Sequence, residues 1–328
     1  MIRSLHRTSD GRFVTALSPA GFPAAIADPK SLLWVDFQGE PPEVCEPILR
    51  EGFGFHPLAI DDALQETHVP KIDDWGQYVY IALHSIELLN DAGAELQVME
   101  LDAFMGKNYL VTHHDLPIPA LDHEWERCMK DERHTTVGPD HLLYELIDTL
   151  VTGYMQTVEK MDDVLEEIED ELFENPTSTA LGRLIDLKRA LLHLRRTVSP
   201  QREVLNKLAR DDYPVVDAKD RVYFRDVYDH LVRLHDINES MRDQVGGAME
   251  IYLSVVNNRL NEVMKTLTII TTLFMPISFV VGFFGMNFFQ PIIPSNVWTS
   301  APALTVTLGI LFLTPLVMFL WLRRRRWM

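Results

Sequence analysis

Basic residues are scarce in this chain: 30 Lys and Arg stand against 48 Asp and Glu in 328 residues, a formal net charge of −18. Nucleic acid is thereby excluded as a partner, because phosphate binding needs a basic surface. Cysteine is nearly absent. Cys45 and Cys128 cannot build a disulfide framework, and neither has a neighbour at C-x-x-C spacing, so both read as quiet thiols in a reducing compartment. The first seven residues turn polar at once and hold no apolar run, so no cleaved signal peptide is expected. There is no P-loop, no Gly-rich dinucleotide turn and no nucleophile beside a base, so neither an enzyme nor ATP-driven transport is expected. His113-His114-Asp115 invites a metal-hydrolase reading. Adjacent residues of a strand, however, point to opposite faces, which makes these imidazoles poor partners in one coordination sphere and places them at a strand end.

The most telling absence is local. From Thr266 to Leu322, 57 consecutive residues carry no charge. A hydrocarbon core of about 30 Å needs roughly 20 apolar helical residues, so the gap holds two spans, 267–286 and 303–322. Between them, Gln290, Pro291, Pro294, Ser295, Asn296 and Trp298 supply turn chemistry and an interfacial aromatic. Arg323, Arg324, Arg325 and Arg326 after the second span, with Arg259 and Lys265 before the first, place both termini in the cytoplasm by the positive-inside rule.

An anchor would be uniformly apolar, and the first span is not. Steps of three and four residues collect Asn261, Met264, Leu267, Thr271, Met275, Ser278, Gly282 and Gly285 on one face. Small and hydroxyl-bearing residues let membrane helices pack closely. Alternatively, they line a water-filled path, with Met and Leu as a narrow apolar gate. Two spans cannot enclose a pore, so the second reading requires a homo-oligomer around a shared axis.

The N-terminal part, 1–135, reads as an α/β cytoplasmic domain. Strand-like runs occur at 32–36, 78–83 and 108–112, and helical spacing at 44–64 is broken by Gly52, Gly54 and Pro57. Residues 136–218 read as an antiparallel pair of helices of complementary charge. The first carries nine carboxylates over 159–174 against the single Lys160, Asp162 and Glu166 among them; the second, from Thr179, carries Arg183, Lys188, Arg189, Arg195 and Arg196. Such an acidic face is ordinarily solvated, though carboxylates also attract hydrated Mg²⁺. From about Lys219 an apolar stripe from Val222 to Met264 flows into the first span, making one stalk helix over 219–286 of roughly 100 Å at 1.5 Å per residue. Gly246-Gly247 is its soft spot. A periplasmic loop (287–302), the second span (303–322) and a basic cytoplasmic tail (323–328) complete an α+β membrane protein.

Gly285-Met286-Asn287, followed by Phe288 and preceded by Met275-Pro276 and Gly282, closely resembles the GMN signature of CorA-type magnesium channels. Asn261-Glu262-Val263-Met264-Lys265, the run from Tyr223 to His230, and the terminal arginines before Trp327 resemble family segments in the family's order. The resemblance covers 219–328 most specifically. It implies a funnel-shaped homopentamer that passes Mg²⁺, and also Co²⁺ or Ni²⁺, across the cell's inner membrane and is gated by cytoplasmic metal. By position, Gly285, Met286 and Asn287 would form the selectivity filter. Asn261, Met264, Leu267, Thr271, Met275, Ser278 and Gly282 would line the pore, and Arg323, Arg324, Arg325 and Arg326 would ring its base. Asp226 matches a family acid at the regulatory metal site. Gln77 stands where its carboxylate partner is expected, with Asp73 and Asp74 nearby, and Asp162 and Glu166 are second-site candidates.

Two departures from the family pattern bear on function. An amide at Gln77 attracts Mg²⁺ less than an acid would. The run Phe288 to Pro294 has no acid, where the family commonly places one, so weaker capture of dilute ions is expected. A Zn²⁺ transporter of the ZntB type is the alternative within the same fold, although its triplet is associated with Val rather than Met. A non-conducting membrane scaffold or cation sensor is the alternative outside it.

Overall fold

The computed structural model describes residues 1–65, 69–89, 95–174, 176–286 and 300–325. Contacts divide the chain into two compact units, Met1–Met249 and Glu250–Met328.

The first unit is built on a seven-stranded sheet. Its strands are β1 (Ile2–Arg7), β2 (Phe13–Thr15), β3 (Leu32–Gln38), β4 (Lys71–Asp74), β5 (Val79–Leu88), β6 (Leu96–Met105) and β7 (Tyr109–His114), in the order β2-β1-β3-β7-β6-β5-β4. Only the β3–β7 pair is parallel. The apolar runs that read as strands are β3, β5 and β7, buried along most of their length as continuous apolar strands of a two-faced sheet should be. Short helices α1 (Phe22–Ala27), α2 (Pro42–Pro47, continued by a π turn Ile48–Gly52) and α3 (Pro57–Leu64) share one apolar core with Leu33, Val35, Phe37, Tyr80, Phe104 and Val111. Cys45 and Cys128 are buried free thiols, and burial pushes them up to about 11 and about 12. Both are therefore protonated and unreactive at neutral pH.

The opposite face carries α4 (Pro119–Lys130), α5 (Pro139–Glu174) and α6 (Ser178–Arg210). Trp34 on β3 packs against Trp125 of α4, ring centroids 4.8 Å apart. The Tyr154 hydroxyl of α5 donates to the His84 carbonyl and lies 3.1 Å from Gln201 Oε1 of α6. Arg183 of α6 reaches Glu167 at 2.9 Å and Glu171 at 3.4 Å. Residue 154 opposite 201 and 171 opposite 183 make α5 and α6 antiparallel, with the charge complementarity their sequences imply.

His113 and His114 end β7 on opposite faces, each against its own acid. His113 Nδ1 lies 3.5 Å from Asp102 Oδ2, and His114 Nε2 lies 3.3 Å from Asp36 Oδ1. Asp36, fully buried, also accepts from Arg3 Nε at 2.7 Å and Thr112 Oγ1 at 2.5 Å. Burial opposes its ionisation, but His114, Thr112 and Arg3 outweigh that and hold it below the usual carboxylate range. Burial instead pushes Asp102 up to about 6, against the pull of nearby His113 and the hydrogen bond from Tyr80. These are two separate buried pairs on opposite faces of the sheet, not one coordination sphere.

Gly106 closes the tight turn between β6 and β7, its N–H donating to the Tyr109 carbonyl at 3.0 Å. A Cβ there would stand 2.3 Å from the Tyr109 ring, which Phe53 and Phe55 hold at 5.6 and 6.0 Å. Gly106→Ala is expected to lower the unfolding free energy by about 1–3 kcal/mol, the usual cost of overpacking. A denaturant midpoint equal to that of the parent chain would show that the ring moves freely.

Helix α7 runs Arg221–Gly285 without a break at Gly246-Gly247. Its first part belongs to the first unit, where Asn238 Nδ2 donates to the Leu191 carbonyl at 3.2 Å and Arg195 pairs with Glu239 at 3.1 Å. Its remainder, with α8 (Ala301–Arg324), forms the second unit. Both α7 and α8 are long and apolar enough to cross a membrane.

Candidate functional site

Among the described residues nothing covers the face of α7 singled out by its small and hydroxyl-bearing residues, nor Phe274, Phe279 and Val281 beside it. Asn261, Met264, Leu267, Thr271, Met275, Ser278, Gly282, Gly285 and Met286 are all exposed, Met264 at 58% and Met275 at 66%. Helical spacing alone puts them on one side. The Thr271 hydroxyl donates to the Leu267 carbonyl at 2.8 Å, and that of Thr268 to the Met264 carbonyl at 2.7 Å. Each hydroxyl hydrogen is thus used inside the helix, and the oxygen lone pairs remain available as acceptors for water around a cation. Asn287 and Arg326 lie outside the described residues. Arg323, Arg324 and Arg325 are exposed at the end of α8, with the Arg325 guanidinium 5.6 Å above the Trp321 ring.

The acids expected to hold regulatory metal fall in three places. Asp73 is on β4, 3.3 Å from Lys71 Nζ. Asp74 accepts from the Gly76 N–H at 2.7 Å in the β4–β5 turn, where Gln77 is exposed. Asp226 is exposed on the second turn of α7. It faces Asp148, whose carboxyl is pushed up by burial and then by Asp226, against the pull of His230. Asp162 and Glu166 are exposed on α5, and after burial their charges, with that of Asp170, raise Glu169.

Among the described residues, one group brings three carboxylates within reach of a single ion. Ligand atoms of Asp140, Asp217 and Asp220 lie within 4.8 Å of one another. Asp140 Oδ2 accepts from the Asp217 N–H at 3.0 Å, and Asp220 Oδ1 lies 3.0 Å from His141 Nδ1. Lys219 Nζ, 3.5 Å from Asp217 and 3.7 Å from Asp220, is the cation already beside them. Burial and the two neighbouring acids raise Asp140. Sequence reasoning missed this group and Asp148. Asp217-x-x-Asp220 before a helix reads only as a capping signal, and Asp140 is 77 positions from Asp217.

An α/β unit continued by one long helix into two helices of membrane-span length defines a class: membrane proteins with two C-terminal spans and a large polar N-terminal part. Within that class the chain belongs to the family described as CorA-like Mg²⁺ transporter protein, whose profile matches residues 29–324. The cobalt/magnesium transport protein CorA of Thermotoga maritima is 36% identical over 280 residues, 85% of this chain and 78% of that protein. The zinc transport protein ZntB of Yersinia pseudotuberculosis is 26% identical over 310 residues, 93% of this chain and 90% of that protein. The complete structure of the CorA magnesium transporter from Methanocaldococcus jannaschii shares the fold, with a TM-score of 0.83, 22% identity, and coverage of 99% of this chain and 98% of that one. The family is one of transporters, not enzymes.

Proposed function

We propose that this chain forms a homopentameric, funnel-shaped channel that admits Mg²⁺, and also Co²⁺ or Ni²⁺, across the inner membrane, with both termini in the cytoplasm. The observation that carries the reading is the exposed face of α7 from Asn261 to Met286, in a segment with no charge after Lys265. One chain cannot enclose a path with it; five chains around an axis can. Gly285, Met286 and Asn287 then form the filter. Mg²⁺ gives up its waters reluctantly, and a ring of neutral amides hydrogen-bonds those waters without stripping them. Met264 and Leu267 form the apolar constriction, and Arg323, Arg324, Arg325 and Arg326 surround the cytoplasmic base. The inside-negative potential drives uptake by about 2.3 kcal/mol per charge per 100 mV, twice that for a divalent ion.

Gating follows from metal at Asp226, with Asp73, Asp74 and Gln77 as the facing group and Asp162 and Glu166 as a second site. Bound Mg²⁺ neutralises acids that would otherwise repel, and its release loosens the assembly. Zn²⁺ transport is the second reading, favoured by the acid-free run from Phe288 to Pro294 and by the likeness to ZntB along 93% of the chain.

Ion flux into proteoliposomes, Mg²⁺ beside Zn²⁺ at graded internal Mg²⁺, tests the proposal. Mg²⁺ flux that declines as internal Mg²⁺ rises supports it. Zn²⁺ flux that follows a pH gradient moves the chain to the second reading, and no flux of either ion leaves a scaffold or cation sensor. Asp226→Ala is expected to raise the half-inhibiting internal Mg²⁺ about tenfold, equivalent to roughly 1.4 kcal/mol of lost metal affinity. An unchanged inhibition curve would remove Asp226 from the gate.

A further inference from the structure

Asp36 and Asp102 are buried carboxylates on opposite faces of the sheet, 0% and 2% exposed, and they are not held alike. Asp36 has the Arg3 guanidinium at 2.7 Å and the Thr112 hydroxyl at 2.5 Å, with His114 beside them. Among the described residues Asp102 accepts one hydrogen bond, from the Tyr80 hydroxyl to Oδ1 at 2.6 Å. Its Oδ2 lies 3.5 Å from His113 Nδ1. That nitrogen, in a ring 4% exposed, has no hydrogen-bond partner among the described residues. A cavity of about 40 Å³ opens beside Asp102, His113 and Glu100, bordered by Ala63 of α3, with room for a water.

No Lys or Arg side chain pairs with Asp102 among the described residues. Lys71 on β4 is the cation of this face by register, but it lies over the Tyr80 ring at 5.4 Å and is engaged by Asp62 of α3 and Asp73 of β4. Glu100, two residues along β6 and directly across from His84, adds negative charge on the same face. Asp115 borders the cavity from beyond β7. A carboxylate taken out of water with a single donor, and with a like charge nearby, is costly. A proton on Oδ2 removes that charge and turns the carboxyl into a donor toward His113 Nδ1, which accepts in its neutral tautomer. The bond from Tyr80 to Oδ1 stays as it is.

We propose that Asp102 is a proton-binding site through which the first unit becomes more stable, rather than less, as pH falls from neutral to mildly acidic. The sign follows from burial. Asp102 is pushed up from the ordinary 3.8 to about 6. Between those values the folded chain keeps a proton that the unfolded chain has released, so this contribution to stability is lost as pH rises through that window. Acid thereby closes the contact between β6 and β7 that is left open at neutral pH. The site lies within the first unit and does not depend on which ion the chain passes, so the two readings stand or fall separately.

The test is infrared difference spectroscopy of the full chain in detergent between about pH 7.5 and about pH 5, beside denaturant unfolding at both values. A protonated-carboxyl band that titrates near 6 is expected in the parent and is expected to be missing in Asp102→Asn, whose side chain is the neutral isostere. Tyr80→Phe is expected to move the midpoint of that band to higher pH, because the hydroxyl it removes favours the charged form. The unfolding constant of the parent, taken relative to that of Asp102→Asn, is expected to fall about tenfold from the higher pH to the lower. A parent without the band would put the proton on His113 and overturn the proposal. A band unchanged in Asp102→Asn, a midpoint unmoved in Tyr80→Phe, or a ratio of unfolding constants that is flat with pH would each do the same.

Discussion

Asn287→Ala is expected to cut Mg²⁺ flux at least a hundredfold in proteoliposomes while the chain still assembles. The size of the effect follows from symmetry. In the proposed homopentamer one substitution would remove all five amides offered to the hydrated ion. At about 1 kcal/mol for each lost hydrogen bond, the combined loss would be several kcal/mol at the proposed filter. Alanine also replaces a hydrogen-bonding ring by an apolar one, which offers the waters of Mg²⁺ nothing in exchange. Flux is to be normalised to reconstituted oligomer, with size-exclusion profiles of the two proteins compared. A variant that elutes like the parent and still conducts Mg²⁺ at a third or more of its rate would place selectivity elsewhere on the α7 face.

Asp36→Ala is expected to destabilise the first unit by about 3–5 kcal/mol, the range for breaking a buried ion pair from one side. The carboxylate is the hub of a closed network: Arg3 on β1, Thr112 and His114 on β7, and through Thr112 the indole of Trp34, whose Nε1 donates to Thr112 Oγ1 at 3.2 Å. Removing it leaves the Arg3 guanidinium, only 16% exposed in its side chain, with Asp122 at 2.7 Å and the Trp125 ring 4.5 Å away. Trp34 and Trp125 stand close enough for their fluorescence to follow unfolding of this part of the sheet. A denaturant midpoint shifted by no more than an ordinary surface substitution, about 0.5 kcal/mol, would mean that Arg3 and His114 find other partners.

The elements that could be read from the chain are those written in local pattern. The stalk and the two spans are legible because hydropathy and a helical period need only neighbouring residues. Strands β3, β5 and β7 are legible as continuous apolar runs. Strand β6 was missed. Its Glu100 and Asp102 interrupt the apolar run, and only pairing with His84 on β5, 3.7 Å from Glu100, and His113 on β7 explains why acids sit in a buried strand. Strand β1 is not legible because its first residues turn polar at once, whereas Arg3 faces Asp36 across the β1–β3 register.

The candidate site divides in the same way. The α7 face from Asn261 to Met286 could be read at helical spacing, and the structure leaves it exposed. The meeting of Asp140 with Asp217 and Asp220 could not be read.

Legible in the residues alone are a large acidic part before two apolar spans, a long helix entering the first of them, and a face of that helix that collects small and hydroxyl-bearing side chains. Each of these depends on residue type and on a fixed helical rise over a few turns. Which acids are buried and paired, and which carboxylates share a space, is settled in the folded chain. Those outcomes depend on contacts between residues tens of positions apart, and burial and charge pairing act on distance in space, which the order of residues along the chain does not specify.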